Sequence, residues 1–243
     1  TDGVDLFGNA VHLLWFASQF HRELSLRVVS RVEAPPFNPF DYLITDPAVL
    51  HLPATYGPKA DPLAIYLARI QSHPAVDGVA AWHREKSSNQ TLRFLQDLTA
   101  HLAENFQYVV RPEGPPKPPA DTLAEGAGSC RDLAVLMMDL CRAVGLASRF
   151  VSGYCFQGPE IFHHHLHAWV EVYLPGAGWR GYDPTAGLAT AETYVPIAAG
   201  PTPVDAAPVE GRFGATGHVD STLESRVEVR QADTPTATGA AEE

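Results

Sequence analysis

The chain has 243 residues, 45% hydrophobic and 19% charged, which is the balance of a globular protein long enough to bury a full core. A formal charge of −11 and a pI near 5.4 argue against nucleic acid or an anionic membrane as the main partner, and no apolar run reaches the roughly 18 residues a bilayer demands. Three cysteines, Cys130, Cys141 and Cys155, are too few and odd in number for a disulfide framework, so reduced thiols and a cytoplasmic location are expected. No signal peptide is visible, but the chain opens at Thr1 rather than Met, which leaves a preceding segment or leader open.

The first segment reads as β. Asp5 to Asn9 is a turn signal between Val4 and two strand candidates, Val11 to Phe20 and Leu24 to Val32. In the second, Leu24, Leu26, Val28 and Val32 alternate with polar residues, the pattern of a half-buried strand. Residues 1–45 are therefore expected to form a partial N-terminal β domain, with 46–200 as the main domain and 201–243 as an extension holding one strand (Val219 to Val229) and a disordered tail from 231. Residues 34–60 read as proline-studded loop. Asp61-Pro62 predicts a helix start over Leu63, Tyr66, Leu67 and Ile70, with Pro74 as its stop, and a second helix is expected from about Ser88 to Asn105. Arg111 to Pro119 can be neither helix nor inner strand, and Thr122 with Glu125 makes a capping pattern for one short turn.

The run Gly126-Ala127-Gly128-Ser129-Cys130 then bends the backbone into an amphipathic stretch. Leu133, Leu136, Met137, Leu140, Cys141 and Val144 fall at helical spacing, and Gly145 supplies the stop. Cys130 is thereby predicted at the first turn of a helix, where unpaired N–H groups and the positive dipole end favour a thiolate. Cys141 lies on the apolar stripe and reads as packing, and Cys155 as structural.

A cysteine nucleophile needs a base, and the base an orienter. Ala147 to Cys155 reads as a strand. His167 opens another, in which Ala168, Val170, Val172 and Leu174 alternate with His167, Trp169, Glu171 and Tyr173. Trp179 to Asp183 is the return strand. Register decides whether His167 and Asp183 meet. A four-residue loop would turn Asp183 to the core, whereas a three-residue loop or a bulge sets Asp183 opposite Trp169 and diagonal to His167, roughly 7–8 Å away on Cα. An odd loop or a bulge is predicted.

Gly128-Ser129-Cys130-Arg131-Asp132, Arg142-Ala143-Val144-Gly145-Leu146 and Val151-Ser152-Gly153-Tyr154 resemble the nucleophile block of the transglutaminase-like superfamily. His167-Ala168-Trp169-Val170-Glu171-Val172-Tyr173 and Gly178-Trp179-Arg180-Gly181-Tyr182-Asp183-Pro184-Thr185 resemble its histidine and aspartate blocks. The likeness covers roughly residues 60–190, with the ends resembling the flanking regions of bacterial members. It implies an α+β, papain-like core in which the nucleophile helix packs on an antiparallel sheet. It implies Cys130 as nucleophile, His167 as base and Asp183 as orienter, with no obligatory cofactor. Members act as transglutaminases, cysteine proteases, amidases and deamidases. The expectation is thus a thiol-dependent acyl-transferase or hydrolase of amides, working on protein or peptide substrates, with a homo-oligomer through the N-terminal β region as a possible assembly. Trp169, Tyr108 and Trp82 are the candidates for lining the substrate cleft, the last two also for donating to the oxyanion beside the Cys130 N–H.

His163, His164 and His165 permit a second reading, since histidines at 163, 165 and 167 would share one strand face. No Cys or carboxylate stands at ligand spacing, so a solvated loop at the cleft rim is preferred and no metal is assigned. A catalytically silent binding module is the other rival, against which the intact Cys, His and Asp set argues.

Overall fold

The structure, a computed structural model, describes residues 2–16, 23–111, 113–156, 158, 165–212, 214, 220, 222 and 224–230. Everything in it is arranged around one helix, α5 (Cys130–Ala143), whose residues from Asp132 to Arg142 are all buried. One side of α5 packs on a five-stranded antiparallel sheet. Helices α2 (Pro74–Lys86), α3 (Thr91–Asn105) and α4 (Pro119–Glu125) gather on the other sides, and α1 (Ala60–Leu67) packs against the sheet at the strand Ser148–Cys155. A helix enclosed in this way has to satisfy its polar residues internally. Asp139 accepts from Arg69 (3.0 and 2.8 Å) and from the Ile70 N–H (2.8 Å). The buried Arg142 donates to the carbonyls of Ala68 (2.7 Å), Ser148 (2.8 Å) and Pro201 (2.6 Å).

Strands β3 (Gln107–Tyr108) and β4 (Ala127–Gly128) form a short parallel pair just ahead of α5. The main sheet runs β8-β7-β6-β5-β9, with β5 Ser148–Cys155, β6 His167–Leu174, β7 Gly178–Asp183, β8 Leu188–Ala189 and β9 Tyr194–Gly200. On β6 the inward set Ala168, Val170, Val172 and Leu174 is buried towards α5, as period-two alternation requires. Leu174 pairs with Gly178, so the β6–β7 loop is the three residues Pro175 to Ala177, the odd connection that the register argument asked for.

Several sequence expectations are corrected. Pro74 does not merely stop a helix; it occupies the first turn of α2, where its missing N–H costs nothing, and His73 caps that helix by accepting from the Ala75 N–H. The helix expected from Ser88 starts at Thr91, because Ser88 and Asn89 hold positive φ angles of 55° and 58°. The helix expected to start at Asp61-Pro62 already begins at Ala60, out of a 3-10 turn at Gly57–Lys59. Thr122 lies inside α4 rather than capping a turn.

The N-terminal strands shrink to a hairpin of β1 (Asp2–Val4) and β2 (Ala10–His12). Leu24 to Val32 forms no strand, and Leu24, Leu26, Val28 and Val32 are exposed: alternation supplies one apolar face, but among the described residues no strand pairs with it. The hairpin docks through Asn9, whose amide exchanges bonds of 2.9 and 2.8 Å with the Ala199 backbone, much as a strand residue would. The strand expected over Val219 to Val229 is reduced, among its described residues, to one bridging residue at Val227; the tail from 231 lies outside the described residues.

Candidate active site

Cys130 is the first residue of α5, and the local sequence fixes it there. Asp132 accepts from the Ser129 N–H (2.8 Å) and hydroxyl (2.9 Å), tying the first turn to the residue before it. The same carboxylate takes two bonds from Arg111 (2.7 and 2.8 Å) and one from the Lys117 N–H (2.8 Å). The proline-rich loop is thus fastened beside the cysteine, and Arg131 adds bonds to the carbonyls of Arg111 and Gly114. Gly128 is required by this close fit, since a Cβ there would lie 2.8 Å from that of Asp132 and 3.2 Å from the Thr122 methyl. Asp132 is a residue that sequence reading missed as a site-builder; the S-x-x-D spacing from Ser129 was its signal.

Cys130 is 8% exposed. Its thiol is a hydrogen-bonding neighbour of the His167 imidazole and of the Tyr108 hydroxyl. His167 opens β6 and bonds through Nε2 to Asp183 Oδ2 at 2.7 Å, which leaves Nδ1 as the ring's second hydrogen-bonding atom. Asp183 ends β7, is 1% exposed and is saturated: Oδ1 accepts from the Thr185 N–H (2.8 Å) and hydroxyl (2.7 Å), and Oδ2 also accepts from the Tyr194 hydroxyl (2.8 Å). The structure therefore brings together Cys130, His167 and Asp183, and adds Tyr108 and Tyr194.

Burial pulls the His167 pKa down, but the Asp183 hydrogen bond, the Cys130 contact and both negative partners outweigh it and lift the group to about 10. Burial works to raise Asp183, yet its bonds from His167 and Thr185 leave it below the usual carboxylate range. The pair should then set a pH dependence of stability. A histidine raised on folding contributes fully below its unfolded value near 6.5, and the contribution fades as pH climbs towards 10. Urea unfolding of the wild type should show stability falling from pH 7 to 10, with a shallower fall in His167→Gln; parallel curves would remove the ion pair as the cause.

The other sequence candidates separate. Tyr108 lies at the thiol. Trp169 is 1% exposed and packed with Val151, Ala199 and Tyr194, so it forms a wall under the site. Its ring fills the space that a side chain at Gly153 would claim, with a Cβ there only 2.6 Å from the indole. Trp82 is half exposed and grouped with His83, His101 and Lys86 rather than with the thiol. Cys141 is fully buried packing, its thiol pushed up to about 12 by that burial. His163 and His164 lie outside the described residues, and among the described residues no group of three His, Cys, Asp or Glu side chains could hold a metal ion. No helix among them is long and apolar enough to cross a membrane.

Residues 80–184, from α2 to the end of β7, match the family described as the transglutaminase-like superfamily. This segment belongs to that superfamily. With it comes the mixed helix-and-sheet, papain-like core. A solved structure from Cytophaga hutchinsonii, provisionally described as a cysteine protease, superposes with a TM-score of 0.50 at 26% identity, over 60% of this chain and 50% of its own. An uncharacterized Mycobacterium leprae protein is 30% identical over 105 residues, 41% of this chain and 37% of the relative. A protein-glutamine gamma-glutamyltransferase of Pseudomonas aeruginosa is 37% identical over 87 residues, 28% of this chain and 13% of the relative. The chain thus spans well under half the length of these two curated relatives.

Proposed function

We propose that the chain is a thiol-dependent acyl-transferase or hydrolase acting on amide bonds, in glutamine side chains or peptides, through a thioester on Cys130. The observation that carries this reading is the 2.7 Å bond from His167 Nε2 to Asp183, with the same imidazole interacting with the Cys130 thiol. The imidazolium stabilises the thiolate, which attacks the amide carbonyl and forms the C–S bond. The Cys130 N–H at the helix start and the Tyr108 hydroxyl serve as donors to the oxyanion in this reading. As the C–N bond breaks, His167 gives its proton to the departing nitrogen, and ammonia or an amine leaves. Water or a primary amine then attacks the thioester, His167 takes the proton, and Cys130 is released. The glutamine-directed name of the Pseudomonas relative and the protease description of the Cytophaga structure both support an amide carbonyl as the target.

Incubation with a casein-like protein and a primary amine, followed by mass spectrometry, tests the reading. Amine incorporation, deamidation or backbone cleavage is expected, each of them blocked by prior alkylation of Cys130. Unmodified substrate together with a Cys130 no more reactive than a free thiol would favour a silent binding module instead.

A further inference from the structure

Asp183 Oδ2 holds two donors, and only one of them belongs to the proposed reaction. The second, the Tyr194 hydroxyl, comes from the first residue of β9, at the opposite edge of the sheet from β7. We infer that Tyr194 is a positioning residue for the Cys130–His167 pair, its hydroxyl bond fixing Asp183 Oδ2 and limiting how strongly that oxygen stabilises the imidazolium. This rests on the acyl-transfer reading above and adds to it a group outside the three-residue set.

The placement of the ring is specific. Tyr194 pairs with Cys155 across β5–β9, stands edge-on to Trp169 at 5.4 Å and lies 6.3 Å from the His167 ring. A tyrosine held there only for packing would need any nearby acceptor. This one takes the oxygen that already accepts from His167, while Oδ1 is served by Thr185. Oxygen lone pairs are finite, so two donors on Oδ2 divide its charge between them. The titratable groups around the carboxylate are His167 on β6, Cys130 beyond it on α5, Tyr108 on β3, Cys155 on β5, which also neighbours the Tyr194 side chain, and Arg131 beyond Tyr108. Burial and the Asp183 charge keep Tyr194 protonated, so it remains a donor across the working pH range. Without its hydroxyl, Oδ2 would bind the imidazolium more tightly, and His167 would become a poorer acid towards the leaving nitrogen.

The test is the pH dependence of Cys130 alkylation by iodoacetamide, read at that residue by peptide mass spectrometry. The wild type should show a lower step, where the thiol ionises, and an upper step, where the imidazolium loses its proton. Tyr194→Phe keeps the ring and should raise the upper step by about half a pH unit or more, leave the lower one in place, and reduce kcat roughly three- to tenfold at unchanged KM. Site-specific 3-fluorotyrosine at 194 is a stronger donor and should move the upper step the other way; it decides the matter alone if Tyr194→Phe does not fold. Superimposable profiles, or both variants moving the step in one direction, would overturn the inference. The readout needs no substrate, so opposite shifts in a protein without amide turnover would sink the acyl-transfer reading and leave the Tyr194 role standing.

Discussion

Cys130→Ala abolishes amide turnover and leaves the fold intact; this is the sharpest expectation from the geometry. The sulfur sits at the start of α5, ahead of the densely packed run from Leu133, so its removal opens little core. Alanine is the best helix former and suits the vacated position. Asp183 keeps all its donors, and His167 keeps its carboxylate. Thermal melting should change by no more than about 2 kcal/mol in equivalent stability, since the substitution removes the sulfur's contacts with His167 and Tyr108 and little else. Cys130→Ser should be as inactive as alanine, for a reason specific to this site. With its pKa at about 10, His167 holds a proton at neutral pH, which suits an anionic sulfur beside it. A serine hydroxyl does not ionise there, and it needs a neutral imidazole to take its proton. Intact-mass detection of an acyl adduct on the wild type, absent from both variants, checks the argument. Turnover in Cys130→Ala above a few per cent of wild type would transfer the chemistry elsewhere, and Cys155, half-buried beside Tyr194, would be the next thiol to examine.

What was legible in the sequence was whatever a period could carry. β6 alternates without a fault from His167 to Leu174, and the structure gives it those bounds. The turn Pro175 to Ala177 is short enough for its length to set the register, so the meeting of residues 167 and 183 could be reasoned about before any coordinates. α5 was legible from its stripe, although not its complete enclosure, because burial of the polar face depends on partners as distant as Arg69, Ser148 and Pro201. α2 was lost because proline marks both the end of one helix and the beginning of the next, and few of its residues, Val76, Ala80 and His83, are buried. β9 was lost for the opposite reason. Its sequence, with Pro196 and two alanines, has little strand character of its own. It exists because β5 offers a free edge, where a proline is tolerated and a bulge opposite Ser152 and Gly153 absorbs the misfit. Losing β9 meant losing Tyr194 from the site. The N-terminal region failed in the other direction: Leu24 to Val32 has the pattern of a strand, and no strand among the described residues pairs with it.

Asp183→Asn should lower kcat by roughly 10³- to 10⁴-fold, about 4–5.5 kcal/mol of transition-state stabilisation, while leaving the protein folded. The hydrogen bonds around the carboxylate dictate how the amide must sit. Oδ1 faces two donors from Thr185, its N–H at 2.8 Å and its hydroxyl at 2.7 Å, and the backbone N–H cannot reverse its role. The amide oxygen must therefore stay at Oδ1, and the NH2 group falls where Oδ2 was, against His167 Nε2 and the Tyr194 hydroxyl. The tyrosine can turn its hydroxyl to accept. The imidazole can accept only by leaving Nε2 bare and carrying its proton on Nδ1, the one ring nitrogen left to serve the thiol. That tautomer cannot take the thiol proton, and without the carboxylate the imidazolium that would stabilise a thiolate loses its main support. Two readouts should move together: kcat falls, and alkylation of Cys130 at neutral pH slows. Asp183→Ala, which leaves Nε2 without a carboxylate but does not force the tautomer, should be less impaired than Asp183→Asn if it folds. Wild-type kinetics in the asparagine variant would show that Asp183 does not orient the base.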